Sequence, residues 1–148
     1  YNPIYCYKFN GKRVKVYRPF SNTSGKWLSN VTEDDLQGLE QLDKTKNDLL
    51  IITKSLKDVM CLHSLGYQAV APQSENTRTQ YELMRKLVSH YKKVLILFDN
   101  DEAGMRGAAN LGDYLTSKCI YVPDVKDISD YMVKYGRENT LNLLTNLI

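Results

Sequence analysis

The sequence predicts an α/β fold: a parallel sheet of about four strands flanked by helices, preceded by a small basic subdomain that contains a β-hairpin. Three observations carry this. Beyond residue 45, four short apolar runs, Leu49 to Ile52, Ala69 to Ala71, Val94 to Phe98 and Cys119 to Val122, alternate with segments of helical period. The runs are unbroken rather than alternating, the pattern of parallel strands covered by helices on both faces. Ahead of residue 45, Asn10-Gly11 stands between two alternating runs, and Asn-Gly there favours a tight hairpin because both residues tolerate positive φ. The expected division is residues 1–44 for the basic subdomain and 45–148 for the α/β domain.

The elements follow in order. Tyr5 to Arg18 gives the hairpin, and Pro19 to Lys26, rich in Ser, Asn, Thr and Gly, gives a loop. Thr32, three residues before Asp35 and ahead of Leu36, Leu39 and Leu42, predicts a short capped helix. Helices are then expected over Leu56 to Leu65, closed by Gly66, over Thr79 to Tyr91 and over Glu102 to Thr116. Two further amphipathic stretches, Ile128 to Tyr135 and Glu138 to Leu147, finish the chain.

Composition bounds the function. With 148 residues, 43% apolar and 25% charged, the chain is ordinary globular material able to bury one sizeable core. No apolar run approaches the roughly 20 residues that cross a bilayer, and the start lacks a secretory layout, so no membrane partner and a cytoplasmic location are expected. Because the chain begins with Tyr1, it is expected to be a segment of something longer. Cys6, Cys61 and Cys119 form no metal-ligand pair with each other or with His63 or His90, and buried neutral thiols are expected.

The net charge of +3 is unevenly spread. Residues 1–30 carry Lys8, Lys12, Arg13, Lys15, Arg18 and Lys26 and no acid, whereas the remaining 118 residues carry 14 bases and 17 acids. Tyr1, Tyr5, Tyr7, Phe9, Tyr17, Phe20 and Trp27 are interleaved with those cations, a combination that tracks a phosphate backbone and offers faces for base stacking. Lys12, Arg13, Arg18, Lys26 and Trp27 are the nucleic-acid-binding candidates. An inward-facing aromatic side of a small sheet is the plainer reading of the same residues.

In an open parallel sheet, chemistry gathers at the carboxyl ends of the strands. Three predicted strand ends carry acids: Asp58 after the first, Asp99 and Asp101 after the third, and Asp127 and Asp130 after the fourth. Crowded carboxylates repel unless a hard cation lies between them, and Mg2+ or Mn2+ takes such oxygen ligands while keeping positions for phosphate. Helix capping by Asp101 and Asp127 is the simpler use of those two residues.

The segments Leu49-Leu-Ile-Ile-Thr-Lys-Ser-Leu-Lys-Asp-Val59, Phe98-Asp-Asn-Asp-Glu-Ala-Gly104 and Lys126-Asp-Ile-Ser-Asp-Tyr131 resemble, in order and spacing, the Toprim domain of bacterial and phage DNA primases. Trp27 to Leu42 resembles the stretch ahead of that domain, and residues 1–44 are similar to the basic subdomain that holds template. The resemblance implies a Toprim-like sheet and RNA-primer synthesis on single-stranded DNA by metal-dependent nucleotidyl transfer from ribonucleoside triphosphates. A replicative helicase in cis or trans, in a bacterial cell or a phage-infected host, is the implied setting. Carried over by residue, Asp99, Asp101, Lys54 and Asp58 would be catalytic, and Asp99, Asp101, Asp127 and Asp130 would hold metal. Lys57, Arg106 and Lys126 would contact nucleotide.

The sequence departs from the family at its first motif, Glu-Gly-x-x-Asp, where Lys54 and Ser55 replace Glu-Gly. Lys54 can stand in for a metal by pairing with Asp99, grip a phosphate, or mark a domain without turnover, and Glu75 is a candidate substitute carboxylate. The alternative to a primase core is therefore a non-catalytic Toprim module that binds nucleic acid within a larger replication protein. A topoisomerase or nuclease of the Toprim class is a further alternative with less support, since the basic front end resembles primase.

Overall fold

The structure, a computed structural model, describes residues 2–9, 12–22, 25–30, 32, 35–73 and 80–148. The chain divides into two compact units, Tyr1–Asp34 and Asp35–Ile148. Glu75 and the Asn10-Gly11 turn lie outside the described residues.

The first unit is an antiparallel sheet of β1 (Tyr5–Phe9), β2 (Lys12–Tyr17) and β3 (Trp27–Ser29) in that order. The hairpin is present as expected, with Tyr5 opposite Tyr17 and Tyr7 opposite Lys15, and a bulge lies between Tyr7 and Lys8. The third strand was not expected: three residues are too few to show a period, yet Tyr17 pairs with Trp27 and Lys15 with Ser29. Because side chains alternate, Tyr5, Tyr7, Lys15, Tyr17 and Trp27 share one face. Tyr17 and Trp27 stack with centroids 4.2 Å apart, and the Lys15 ammonium lies 4.4 Å from the Trp27 ring centroid. Burial lowers the Lys15 pKa. Cys6 is exposed, not buried: it lies on the face opposite the aromatic cluster, where Leu28, in register with it through Val16, is exposed as well.

The second unit is built on a four-stranded parallel sheet in the order β5 (Gln68–Val70), β4 (Leu49–Thr53), β6 (Lys93–Leu97), β7 (Lys118–Ile120). Helices α1 (Leu56–Ser64), α2 (Tyr81–Val88), α3 (Glu102–Leu115) and α4 (Ile128–Leu147) connect and flank it. Alternate residues of β4 feed opposite cores. Ile51 packs with Leu95, Leu97, Val59, Leu62 and Ile128, whereas Leu50 and Ile52 pack with Ile96, Phe98, Met84 and Leu111. This two-sided burial is why the strands read as continuous apolar runs. Helix α4 is interrupted at Gly136 (φ 82°, ψ 170°), which separates the two amphipathic stretches expected there.

The short capped helix expected ahead of the sheet does not form across its range among the described residues. Gln37 instead pairs through both backbone groups with Ala71, at 2.8 and 2.9 Å, and Gly38 takes φ 87°, leaving a single 3-10 turn at Leu39–Gln41. Leu36 is buried in the core shared with Met84 and Phe98. No helix among the described residues is long and apolar enough to cross a membrane.

Candidate functional site

The carboxyl ends of β4, β6 and β7 lie side by side, and each hands the chain to a loop that starts a helix. After β4, Ser55 caps α1: its Oγ accepts from the Asp58 N–H at 3.3 Å and donates to Asp58 Oδ2 at 2.7 Å. Asp58 is 1% exposed, and Ser129 at the start of α4 donates to its other oxygen, Oγ at 2.6 Å and N–H at 3.4 Å. Two hydroxyls and a helix amino end therefore compensate a buried carboxylate. Burial nonetheless raises the Asp58 pKa, outweighing the hydrogen bonds from Ser129 and Ser55 that lower it.

After β6, Asp99 is buried and Asp101 caps α3, accepting from the Gly104 N–H at 2.8 Å. Gly104 is required by contact: a Cβ there would lie 2.2 Å from the Asp99 carbonyl oxygen. After β7, Asp127 caps α4 and accepts from the Asp130 N–H at 2.8 Å. Asn100 joins the second and third loops, its N–H donating to the Lys126 carbonyl at 2.7 Å and its Nδ2 to the Val122 carbonyl at 2.9 Å.

Carboxylate oxygens of Asp58, Asp99 and Asp127 all lie within 4.8 Å of one another. Oxygens around one Mg2+ are about 3 Å apart when adjacent and about 4.2 Å apart when opposite, so the trio has to close by up to about 2 Å to hold such an ion, and its all-oxygen donor set suits Mg2+ or Mn2+. Asp101 and Asp130, expected with Asp99 and Asp127 as ligands, are outside the trio; Asp58 takes part in it.

Three lysines line the same acids. Lys54 Nζ lies 3.0 Å from Asp99 Oδ2, and Lys126 Nζ lies 3.4 Å from that oxygen and 3.2 Å from Asp101 Oδ2. Lys57 Nζ lies 2.9 Å from Asp127 Oδ2 and 3.3 Å from Asp130 Oδ1. The Gly104 N–H and then Lys126 hold the Asp101 pKa below its usual range, while Asp101 and Asp99 raise that of Lys126. For Lys57, burial pulls downward, but the hydrogen bond and charge of Asp127, with Asp58 and Asp130, win and raise its pKa. Cys61 reports the same field from α1: burial, and then the Asp58 and Asp127 charges, push its thiol up to about 11.

The sequence model of the Toprim-like family matches residues 51–132, more than half of the chain. The chain belongs to the Toprim-like family. Toprim domains bind divalent metals, and the acidic trio lies at the strand ends of this one. Among known proteins, a DNA primase of Clostridium acetobutylicum is 27% identical over 159 aligned positions, covering 99% of this chain and 26% of that primase's length. The zinc-binding and RNA polymerase domains of the Aquifex aeolicus primase superpose with TM-score 0.68 at 23% identity, over 89% of this chain and 36% of that one. The primase fragment of the bacteriophage T7 primase-helicase superposes with TM-score 0.67 at 18% identity, over 95% of this chain and 60% of that one. T7 primase domains in a complex with the lagging-strand DNA polymerase, an RNA/DNA hybrid and dTTP give TM-score 0.73 at 17% identity, over 97% and 75%. The Toprim-like domain is thus primase-like in fold.

The other expected site residues fall elsewhere. Arg106 pairs with Glu102 at 3.0 Å on the exposed side of α3. In the first unit, the Arg18 guanidinium is held by the Gly25 carbonyl, with Nε at 3.1 Å and Nη2 also in contact, while Lys26 is exposed and Trp27 is 47% exposed. Lys12 and Arg13 are placed by backbone register only, opposite Phe9 and Lys8. Ser55 and Ser129, which hold Asp58, were missed as site residues. The Ser-x-x-Asp spacing of 55–58 is the signal that marks the first, and nothing local marks the second.

Proposed function

We propose that this chain is the catalytic core of a DNA primase, joining ribonucleotides into a primer on single-stranded DNA with Mg2+ or Mn2+. The observation that carries the proposal is the convergence of Asp58 from the first turn of α1 and of Asp99 and Asp127 from the loops after β6 and β7 of a Toprim-like sheet, on one volume a divalent ion can occupy. Held there, such an ion supplies charge to neutralise phosphate oxygens. Lys57 and Lys126, whose side chains are half exposed, would accept nucleotide phosphates on this reading once they release Asp130 and Asp101. The aromatic face of the first unit offers stacking to template through the half-exposed Trp27, and the exposed Lys26 next to it in sequence offers a phosphate contact. A replicative helicase as partner and a bacterial or phage-infected cytoplasm as setting belong to the same reading. The Lys54–Asp99 contact favours a second reading, a Toprim module that binds nucleic acid without turnover. Incorporation of labelled ribonucleotides on a single-stranded template separates the two. The primase reading expects Mg2+- or Mn2+-dependent product that disappears in Asp99→Asn. The second expects retained DNA binding and no product with either ion.

A further inference from the structure

This inference deepens the metal-site reading above and rests on it. Five carboxylates, Asp58, Asp99, Asp101, Asp127 and Asp130, and three ammoniums, Lys54, Lys57 and Lys126, are gathered on the rim, a formal charge of −2. One divalent cation neutralises that charge, and a second would leave the rim positive.

The three lysines are not equivalent. The side chains of Lys57 and Lys126 are 56% and 55% exposed, and each is shared between two carboxylates, so both reach water more readily than Lys54. Lys54 is 22% exposed and its partner Asp99 only 7%. The root of Lys54 is also fixed, because it follows Thr53, which is paired in register with Leu97 two residues before Asp99. Lys54 makes the shorter contact to Asp99 Oδ2, 3.0 Å against 3.4 Å for Lys126, and once Lys126 has swung out, withdrawing Lys54 as well leaves a buried carboxylate without a cation, which is strongly unfavourable. We infer that the Lys54 ammonium is a tethered cation occupying the place of one metal, so that the site takes a single divalent ion, on Asp58, Asp99 and Asp127. On this account the lysine tunes the stoichiometry and strength of metal binding and is a positioning residue for the carboxylates.

Titration of the whole chain with Mn2+, followed by electron paramagnetic resonance of the free ion and by calorimetry, counts bound ions without reference to turnover. The parent is expected to bind one ion. Lys54→Glu, which takes the formal charge to −4, is expected to bind two, and Lys54→Met to bind its ion at least tenfold more tightly than the parent. Circular dichroism establishes that each variant is folded, and the parent's own count needs no variant. Two ions on the parent overturn the inference and leave the metal-site reading standing. Identical count and affinity in all three proteins overturn it too, reducing Lys54 to a structural ion pair. No Mn2+ binding by any of the three, at millimolar ion, overturns the metal-site reading and the inference with it.

Discussion

Gly104→Ala isolates how the metal-site loop is held. The added Cβ would lie 2.2 Å from the Asp99 carbonyl oxygen and 2.9 Å from both its carbonyl carbon and its Cβ. Ordinary carbon–oxygen contacts begin near about 3.3 Å, so the first turn of α3 has to retreat by about 1 Å. Two of the three atoms are backbone, so no rotamer change relieves the clash, and the cost belongs near the upper end of overpacking, about 3 kcal/mol. Alanine's helical preference over glycine returns at most about 1 kcal/mol. The net loss of about 2 kcal/mol corresponds to a melting temperature lower by about 6 °C for a chain of this size. Because the atoms the new Cβ presses on belong to Asp99, Mn2+ affinity should fall with stability. Thermal unfolding by circular dichroism, with calorimetric Mn2+ titration, reads both. A variant that melts higher than the parent, as an uncrowded helical glycine would give, refutes the close approach and the account of why this loop reads Ala-Gly.

Asp58→Asn keeps shape and removes charge. Burial raises the folded pKa of Asp58 above its ordinary 3.8, so between these values the folded state holds a proton the unfolded state has lost, and stability falls as pH rises through that window. The variant should flatten this decline above about pH 4, match or exceed the parent's melting temperature at neutral pH, and bind Mn2+ at least tenfold more weakly. An unaltered pH slope counts against a desolvated carboxylate. In the first unit, Trp27→Ala should weaken binding of an oligothymidylate, measured by fluorescence anisotropy, by the ~1–3 kcal/mol of one lost base stack. Lys26→Gln should lower the slope of log affinity against log salt by about 0.7. Unchanged affinity and slope in both would remove this face from the template path.

The sheet was legible because burial on two faces forces uninterrupted apolar runs, and the observed strands start within one residue of those runs. The break in α4 was legible as the gap between the Ile128 to Tyr135 and Glu138 to Leu147 stretches, where Gly136 takes the positive φ that glycine adopts without strain. The sequence also placed Asp58, Asp99 and Asp127 on one rim, but it left open which acids converge. Asp101 and Asp127 both cap helices, yet only Asp127 also belongs to the trio. The deciding factor is long-range: the Asn100 bonds to Lys126 and Val122, and the Ser129 hydroxyl on Asp58, set the spacing of loops far apart in sequence. The short helix ahead of β4 failed for a similar reason, because Gln37 found a backbone partner in Ala71 that local spacing cannot reveal.

The strand order carries a thermodynamic corollary. β4 and β6 are neighbours although α1, β5 and α2 intervene in the chain, and β7 joins only after α3. The denatured chain therefore keeps the three carboxylates scattered, and a cation that needs all of them is a ligand of the native state alone. Its affinity should appear directly as added resistance to unfolding, about 2.7 kcal/mol at a hundredfold excess over its dissociation constant. Melting temperature against ion concentration is then a gauge of occupancy that works even in a protein with no turnover.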